Sequence, residues 1–260
     1  MLYTNVRLAV CFVLTCGAIW LLASPAAAAT SLCQYDFFYA SNDFDYCVTV
    51  NGNIPQFYTP NGIQLLVDAY GEGYGICNES PAQNYTDYGS SDTGNWGNST
   101  LVSKTATSVK ITRTTRDGNW TLTQTISQAS TKVASITVIM ALTNNQPENK
   151  VAYLVRYADA HPNFTNGVQL ATVNSALSWT DVGPGGAYDW GVLLQNVGKP
   201  QFGFWQGYAQ DVESGPNACA FAFNAPYDTN HGSIGSIEIA YVGSVPAHGT
   251  RSVTLTYRGI

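Results

Sequence analysis

The stretch 109–127, VKITRTTRDGNWTLTQTIS, carries the clearest secondary-structure signal in the chain. Its apolar residues Trp120, Leu122 and Ile126 alternate with threonines, a period of two that is typical of a strand with one buried face. The dipeptide Asp117-Gly118 separates two such alternating runs, and an Asp-Gly step in this position is a strong signal for a β-hairpin. The stretch therefore predicts two antiparallel strands joined by a tight turn.

The same alternation continues on both sides of this hairpin. It recurs at 136–142 and, after the turn residues 144–147, at 151–157, which predicts four consecutive antiparallel strands. It recurs again at 236–243 and 253–257, whereas no long segment shows the spacing of an amphipathic helix. We therefore predict an all-β protein, an antiparallel two-sheet β-sandwich that forms a single domain.

The N-terminal residues have the three parts of a cleavable signal peptide. Arg7 precedes an apolar run over 8–23, and the small-residue stretch 24–29 follows it. The apolar run is shorter than the roughly 20 residues that a membrane-spanning helix needs. We expect residues 1–29 to be removed and residues 30–260 to form a secreted or periplasmic domain with no membrane insertion.

Four cysteines lie outside the signal peptide, and an even number in an exported chain indicates disulfides. Four cysteines allow three pairings, and sequence alone does not choose among them. We favour a short local bridge, Cys33 with Cys47, and a long-range bridge, Cys77 with Cys219. Zinc is disfavoured because the chain has no C-x2-C pair and its histidines are scattered.

The charge of the chain limits the class of partner. It has 17 acidic and 11 basic residues and a formal net charge of −6. Nucleic acids attract basic surfaces, so we expect no nucleic-acid partner. The sequence does not indicate an oligomeric state.

One segment, 70–100, lacks alternation and mixes polar with aromatic residues, which predicts a long loop. Aromatic faces beside amides and carboxylates suit the stacking and hydrogen bonding of sugars. The alternative is that these aromatic residues fold back as a small core at the sandwich edge. The candidate ligand-binding residues are Tyr70, Tyr74, Tyr85, Tyr88 and Trp96.

Catalytic and metal-binding candidates are fewer. Asp159 and His161 could provide general-base chemistry at the end of a strand, and Asp211 and Glu213 could contribute to a carboxylate pair for glycoside hydrolysis. Asp43 and Asp45, in the loop closed by Cys33 and Cys47, could begin a calcium site, although no EF-hand spacing is present. No cofactor other than calcium is indicated.

Four parts of the chain together carry a family resemblance: 62–68 (GIQLLVD), 71–76 (GEGYGI), the strand series 105–158 and the closing 244–250 (SVPAHGT). The chain resembles a group of secreted bacterial β-sandwich proteins with no assigned activity. At the level of the fold it is similar to galactose-mutarotase-like and carbohydrate-binding sandwiches. The catalytic histidines and glutamate of mutarotases have no match here, so the resemblance implies the fold and not that activity.

Three functions follow from these observations. The leading hypothesis is a secreted, non-catalytic β-sandwich that binds an extracellular ligand, a carbohydrate above all. The second is a carbohydrate-active enzyme that uses paired carboxylates. The third is a structural or adhesive surface protein.

Overall fold

The computed structural model describes residues 33–39, 44–59, 62–66, 71–88, 91–92, 95–129, 133–160, 168–180, 190–209, 218–219 and 236–260. The chain divides into two compact units, Met1–Thr30 and Ser31–Ile260, and every described residue belongs to the second. The predicted signal peptide, residues 1–29, lies outside the described residues.

Strands dominate the described residues. In chain order they are β1 (Tyr35–Tyr39), β2 (Phe44–Val48), β3 (Gln56–Tyr58), β4 (Gln64–Leu66), β5 (Glu72–Asn78), β6 (Gln83–Tyr88), β7 (Ser91–Asp92), β8 (Thr100–Lys104), β9 (Ser108–Thr114), β10 (Trp120–Gln128), β11 (Ser135–Asn144), β12 (Lys150–Asp159), β13 (Val168–Ala171), β14 (Ser175–Trp179), β15 (Gly191–Asn196), β16 (Phe204–Ala209), β17 (Ser236–Val245) and β18 (Thr250–Gly259). The prediction of an all-β fold is confirmed.

The strands form three antiparallel sheets. The eight-stranded sheet has the order β13-β14-β15-β18-β11-β10-β9-β8, and the six-stranded sheet has the order β16-β17-β12-β5-β6-β7. The N-terminal strands form a four-stranded sheet, β1-β2-β3-β4, which the sequence analysis did not predict. Its short strands are rich in Phe and Tyr, and four of those side chains join the same core as the two larger sheets: Phe37, Phe44, Tyr46 and Phe57.

The predicted hairpin is present. Strand β9 pairs with β10, with Thr114 opposite Thr121. Gly118 has a φ of 77°, a left-handed conformation that glycine adopts without steric cost, and its N–H donates to the carbonyl of Thr115 at 2.8 Å. This confirms the turn at Asp117-Gly118.

The four predicted consecutive strands do not share one sheet. Strands β9, β10 and β11 are neighbours in the eight-stranded sheet, whereas β12 lies in the six-stranded sheet between β17 and β5. Strand β12 is buried on both faces for most of its length, as expected for a central strand that is covered on both sides. Periodicity indicates which face of a strand is buried but not which sheet the strand joins.

Both predicted disulfides are confirmed. Cys33 is bonded to Cys47, and Cys77 is bonded to Cys219 across 142 positions of sequence. Disulfides form and persist in oxidising compartments, which is consistent with an extracellular or periplasmic protein. Within the described residues, no helix has the length and apolar character needed to cross a bilayer.

Candidate functional site

The segment that was predicted to be a loop is mostly sheet. Residues Glu72–Asn78 and Gln83–Tyr88 form the paired strands β5 and β6. Glycines at 71, 73 and 75 alternate with large residues and hide the strand pattern. Gly73 is required by close packing, because a Cβ there would collide with the backbone carbonyl of Asp87. Glycines that permit close approach of two strands were misinterpreted as a loop signal.

Three of the predicted ligand-binding aromatics belong to the core. Tyr74, Tyr85 and Trp96 are buried, and Trp96 is only 1% exposed. The ring of Trp96 lies edge-on to Tyr74 at 5.4 Å and to Tyr85 at 6.4 Å between centroids. Their predicted exposure is therefore wrong, and the alternative of an internal aromatic cluster describes them. Their faces are not available to stack on a ligand.

The remaining predicted site residues are dispersed. Tyr88 is half-buried and packs on Tyr157 at 5.2 Å. Asp159 is buried at the end of β12, and Asp45 is half-buried in β2. The others, Tyr70, Asp43, His161, Asp211 and Glu213, lie outside the described residues.

A possible metal centre at the N-terminal disulfide is excluded by its chemistry. Cys33, Asp36 and Cys47 place their ligand atoms within 4.8 Å of one another, the one such group in the described part of the chain. Both sulfurs are consumed in the disulfide, however, and a metal requires thiolates. Calcium binding at Asp43 and Asp45 stays a prediction.

A buried ion pair within the six-stranded sheet is hydrogen-bonded to the eight-stranded sheet. Arg156 of β12 pairs with Glu72 of β5, and its Nε also donates to the Tyr257 hydroxyl of β18 at 3.0 Å. Its remaining nitrogens donate to Gln124 Oε1 at 2.5 Å and to the carbonyl of Gly52 at 3.2 Å. Burial opposes the charge on Arg156, but Glu72 and Tyr257 outweigh it and raise the pKa of the guanidinium above its ordinary value.

A second buried pair lies beside the first. Arg113 of β9 pairs with Asp87 of β6, and its guanidinium also donates to the Tyr74 hydroxyl at 3.1 Å. Asn53 donates to the other Asp87 oxygen at 2.6 Å. The carbonyl of Asn51 accepts from the Tyr74 hydroxyl and from Gln124, which connects the two pairs.

This network is a scaffold and not a ligand site, because its charged members are all closed off from solvent. Sequence analysis missed it. The available signal was an ionisable residue inside an otherwise apolar strand, as with Arg156 in 151–158 (VAYLVRYA). Such a residue is retained in a core only when it is paired.

An open aromatic pocket lies at the edge of the six-stranded sheet. Its volume is about 210 Å³, and Val173, Gly203, Phe204 and Trp205 line it. Phe204 is 52% exposed and Val173 is 56% exposed. The indole N–H of Trp205 donates to Asn174 Oδ1 at 2.7 Å, which fixes the orientation of the ring. The pocket offers apolar faces with an amide at its rim.

The outer face of the six-stranded sheet carries a different kind of feature. Glu238 of β17 lies in register between Tyr157 of β12 and Tyr208 of β16. Its side chain is completely buried, and neither carboxyl oxygen has a hydrogen-bond partner among the described residues. Burial raises the pKa of Glu238 well above its usual range. It also raises the pKa of Tyr208, and the charge of Glu238 adds to that effect.

The buried carboxyl of Glu238 predicts a pH dependence of stability. The unfolded chain ionises Glu238 above a pKa of about 4.3, whereas the native chain keeps the proton to higher pH. The native state then binds more protons, so this group lowers the free energy of unfolding as pH rises. As pH rises from about 4.5 to 6, we expect the free energy of unfolding of Glu238→Gln to increase by about 1–2 kcal/mol relative to that of the parent.

Urea unfolding at several pH values measures this difference. The matched control is Glu148→Gln, because Glu148 is exposed. The difference in free energy of unfolding between this variant and the parent should not follow the same pH dependence. A constant difference between Glu238→Gln and the parent across this range would contradict the prediction.

Comparisons with known proteins define the class of fold. No protein-family profile matches the chain, and no curated protein matches it. Among solved structures it is similar to a bacterial glucoamylase complexed with acarbose, at 12% identity and a TM-score of 0.56. A GalM/aldose epimerase homologue from C. elegans also matches, at 8% identity and a TM-score of 0.49, over 87% of this chain and 98% of that one.

The glucoamylase match covers 87% of this chain but 32% of the glucoamylase, so the chain spans about a third of that protein. At this identity the match shows a shared fold. It confirms, at the level of the fold, the predicted similarity to sandwiches of carbohydrate-related proteins. The chain is thus an all-β, disulfide-bonded sandwich that shares this fold.

Proposed function

We propose that this protein binds carbohydrate outside the cytoplasm, with the pocket of Phe204 and Trp205 as its binding surface. The observation that carries the proposal is an exposed phenylalanine beside a tryptophan whose ring is held in place by Asn174. Flat aromatic faces stack on the apolar side of a sugar ring, and a rim amide bonds its hydroxyls. The carbohydrate-related fold supports the same class of ligand.

The pocket suits binding without turnover. Among the described residues, its lining carries no carboxyl or imidazole that could transfer a proton. Its volume of about 210 Å³ is below the roughly 300–1,000 Å³ of typical small-molecule sites. A single sugar ring, free or at the end of a chain, is the matching ligand.

A binding assay tests this proposal. The secreted domain is applied to an array of defined oligosaccharides, and the strongest hit is titrated by calorimetry. We expect Phe204→Ala to weaken binding at least tenfold, or about 1.4 kcal/mol, because the stacking face is removed. Asn174→Ala should weaken it too, since the indole is then free to rotate.

Phe38→Ala is the matched control, because Phe38 is an exposed phenylalanine on β1, in a different sheet. Its affinity should equal that of the parent, and all three variants should keep nearly the parent melting temperature. Unchanged affinity in Phe204→Ala for every oligosaccharide that the parent retains would refute binding at this pocket.

A further inference from the structure

The outer face of the four-stranded sheet carries a row of side chains that crosses three strands. Phe38 of β1 is opposite Asp45 of β2, and Asp45 is opposite Tyr58 of β3. Residues that are opposite each other in an antiparallel pair lie on the same face of the sheet, with their Cβ atoms about 4.5–5.5 Å apart. The neighbouring pair, Phe37 with Tyr46, is stacked in the core. Phe38, Asp45 and Tyr58 therefore form an outer row on the opposite face.

The outer row is open to solvent. Phe38 is 63% exposed, the highest value for a large hydrophobic side chain among the described residues, and Asp45 and Tyr58 are half-buried. Neighbouring strands are about 4.7–4.9 Å apart, so the two aromatic residues are separated by roughly 10 Å, with the aspartate between them. Side chains of a strand stand roughly perpendicular to the sheet, and aspartate is shorter than either aromatic residue. The outer row is thus a shallow slot with aromatic walls and a carboxylate at its floor.

The charge around the outer row is of one sign. No basic residue occurs in the sequence from 8 to 103, whereas the same stretch contains eight acidic residues. Lys104, the next basic residue, contacts the ring of Phe37, which belongs to the core-facing side of β1. A second carboxylate, that of Asp36, is exposed on the same face and strand as Phe38. The local potential therefore attracts a cation and repels an anion.

The chemistry of the slot selects the kind of cation. A cation above the carboxylate and midway between the two aromatic positions would be about 5 Å from each, within the roughly 6 Å over which a ring attracts a cation. A quaternary ammonium group fits this arrangement, because its methyl groups contact the rings and it needs no hydrogen-bond acceptors. Calcium takes roughly six to eight oxygen ligands and would need groups beyond this row.

We propose that the outer row binds a small quaternary ammonium compound, with Phe38 and Tyr58 as the walls of the site and Asp45 as the counter-ion. The proposal goes beyond carbohydrate binding, because both the ligand class and the sheet differ from those of the Phe204 pocket. Aromatic side chains beside a carboxylate are an established means of recognising such groups, and each ring contributes without a covalent step.

Calorimetric titration of the purified protein with choline chloride tests the proposal. We expect saturable binding to one site per chain, with an affinity that falls as salt rises from about 0.01 to 0.15 M, since the shorter Debye length screens the carboxylate. The matched ligand is dimethylbutanol, the neutral isostere of choline in which carbon replaces nitrogen. It has the same shape and should bind about tenfold more weakly or worse, because it lacks the charge.

Two substitutions separate the contributions of the walls and the floor. Phe38→Leu keeps an apolar side chain without a ring and should weaken choline binding about two- to fivefold, the range of an exposed cation–π contact. Asp45→Asn keeps the shape and removes the counter-ion, and should weaken binding about fivefold. The control variants are Phe204→Leu and Glu148→Gln, an exposed phenylalanine and an exposed acid elsewhere, which should both match the parent.

Three results would overturn the proposal: no saturable choline binding by the parent, equal affinity for choline and its neutral isostere, or parent affinity in Phe38→Leu. Because Phe38 is exposed, its variant should keep the parent melting temperature and tests the site without risk to the fold. The two binding surfaces fail separately. If the parent binds oligosaccharide but not choline, the outer row is refuted and the Phe204 pocket stands, and the reverse pattern refutes the pocket alone.

Discussion

Arg156→Met is expected to destabilise the protein by about 3–5 kcal/mol, because it leaves Glu72 buried without its cation. Methionine has a similar length but cannot donate to Glu72, Tyr257 or Gln124. Burial raises the pKa of Glu72, and Arg156 acts in the opposite direction. Without Arg156 the native state must keep Glu72 protonated, so the loss of stability should grow as pH rises. Urea unfolding with linear extrapolation measures it.

The matched control is Arg258→Met, because Arg258 is exposed on β18 and its replacement should change stability by about 0.5 kcal/mol or less. The double variant Arg156→Met with Glu72→Gln should recover part of the loss, since the stranded charge is removed. A cost of Arg156→Met close to that of Arg258→Met would show that the pair does not stabilise the sandwich.

Trp96→Ala is expected to cost about 3–5 kcal/mol and to lower the melting temperature by roughly 10 °C. The indole is buried against Tyr74 and Tyr85, and the guanidinium of Arg113 lies 5.4 Å from its ring centroid. Its removal leaves a cavity and takes away a face that contacts the buried Arg113–Asp87 pair. Thermal unfolding followed by circular dichroism measures the change.

Phe38→Ala is the control for this variant too, since Phe38 is 63% exposed and its loss should change stability little. If Trp96→Ala kept the parent melting temperature but lost affinity for an oligosaccharide, Trp96 would be a ligand-binding residue and its burial would not describe the protein in solution. A lower melting temperature identifies Trp96 as a core residue, whereas a loss of affinity at the parent melting temperature identifies it as a ligand-binding residue.

Sequence alone predicted the strands whose alternation involves unambiguous side chains. Strand β10 was predicted from the alternation of Leu122 and Ile126 with threonines. Strand β18 was predicted from Val253, Leu255 and Tyr257. The four-stranded sheet was missed because its strands are three to five residues long, too short for a period to be recognised. The pairing of β12 with β17 was missed because it joins residues far apart in sequence.

The site was predicted less well than the fold, and for a physical reason. An aromatic residue beside Asn, Asp and Gly has the same composition whether its ring is exposed or buried. Trp96 is 1% exposed and Phe204 is 52% exposed, a difference that the tertiary structure sets and the neighbouring residues do not indicate. Glu238 could have been found, because a single carboxylate in 236–242 (SIEIAYV) contradicts its apolar surroundings.

The positions of β17 and β18 have a consequence for the order in which the chain folds. Each of these two C-terminal strands lies in the interior of one large sheet. Strand β17 lies between β16 and β12 in the six-stranded sheet, and β18 lies between β15 and β11 in the eight-stranded sheet. Neither sheet can complete its hydrogen bonding until residues 236–260 have arrived. A chain that is cut short before residue 236 exposes four unpaired strand edges, which makes it a substrate for aggregation and proteolysis.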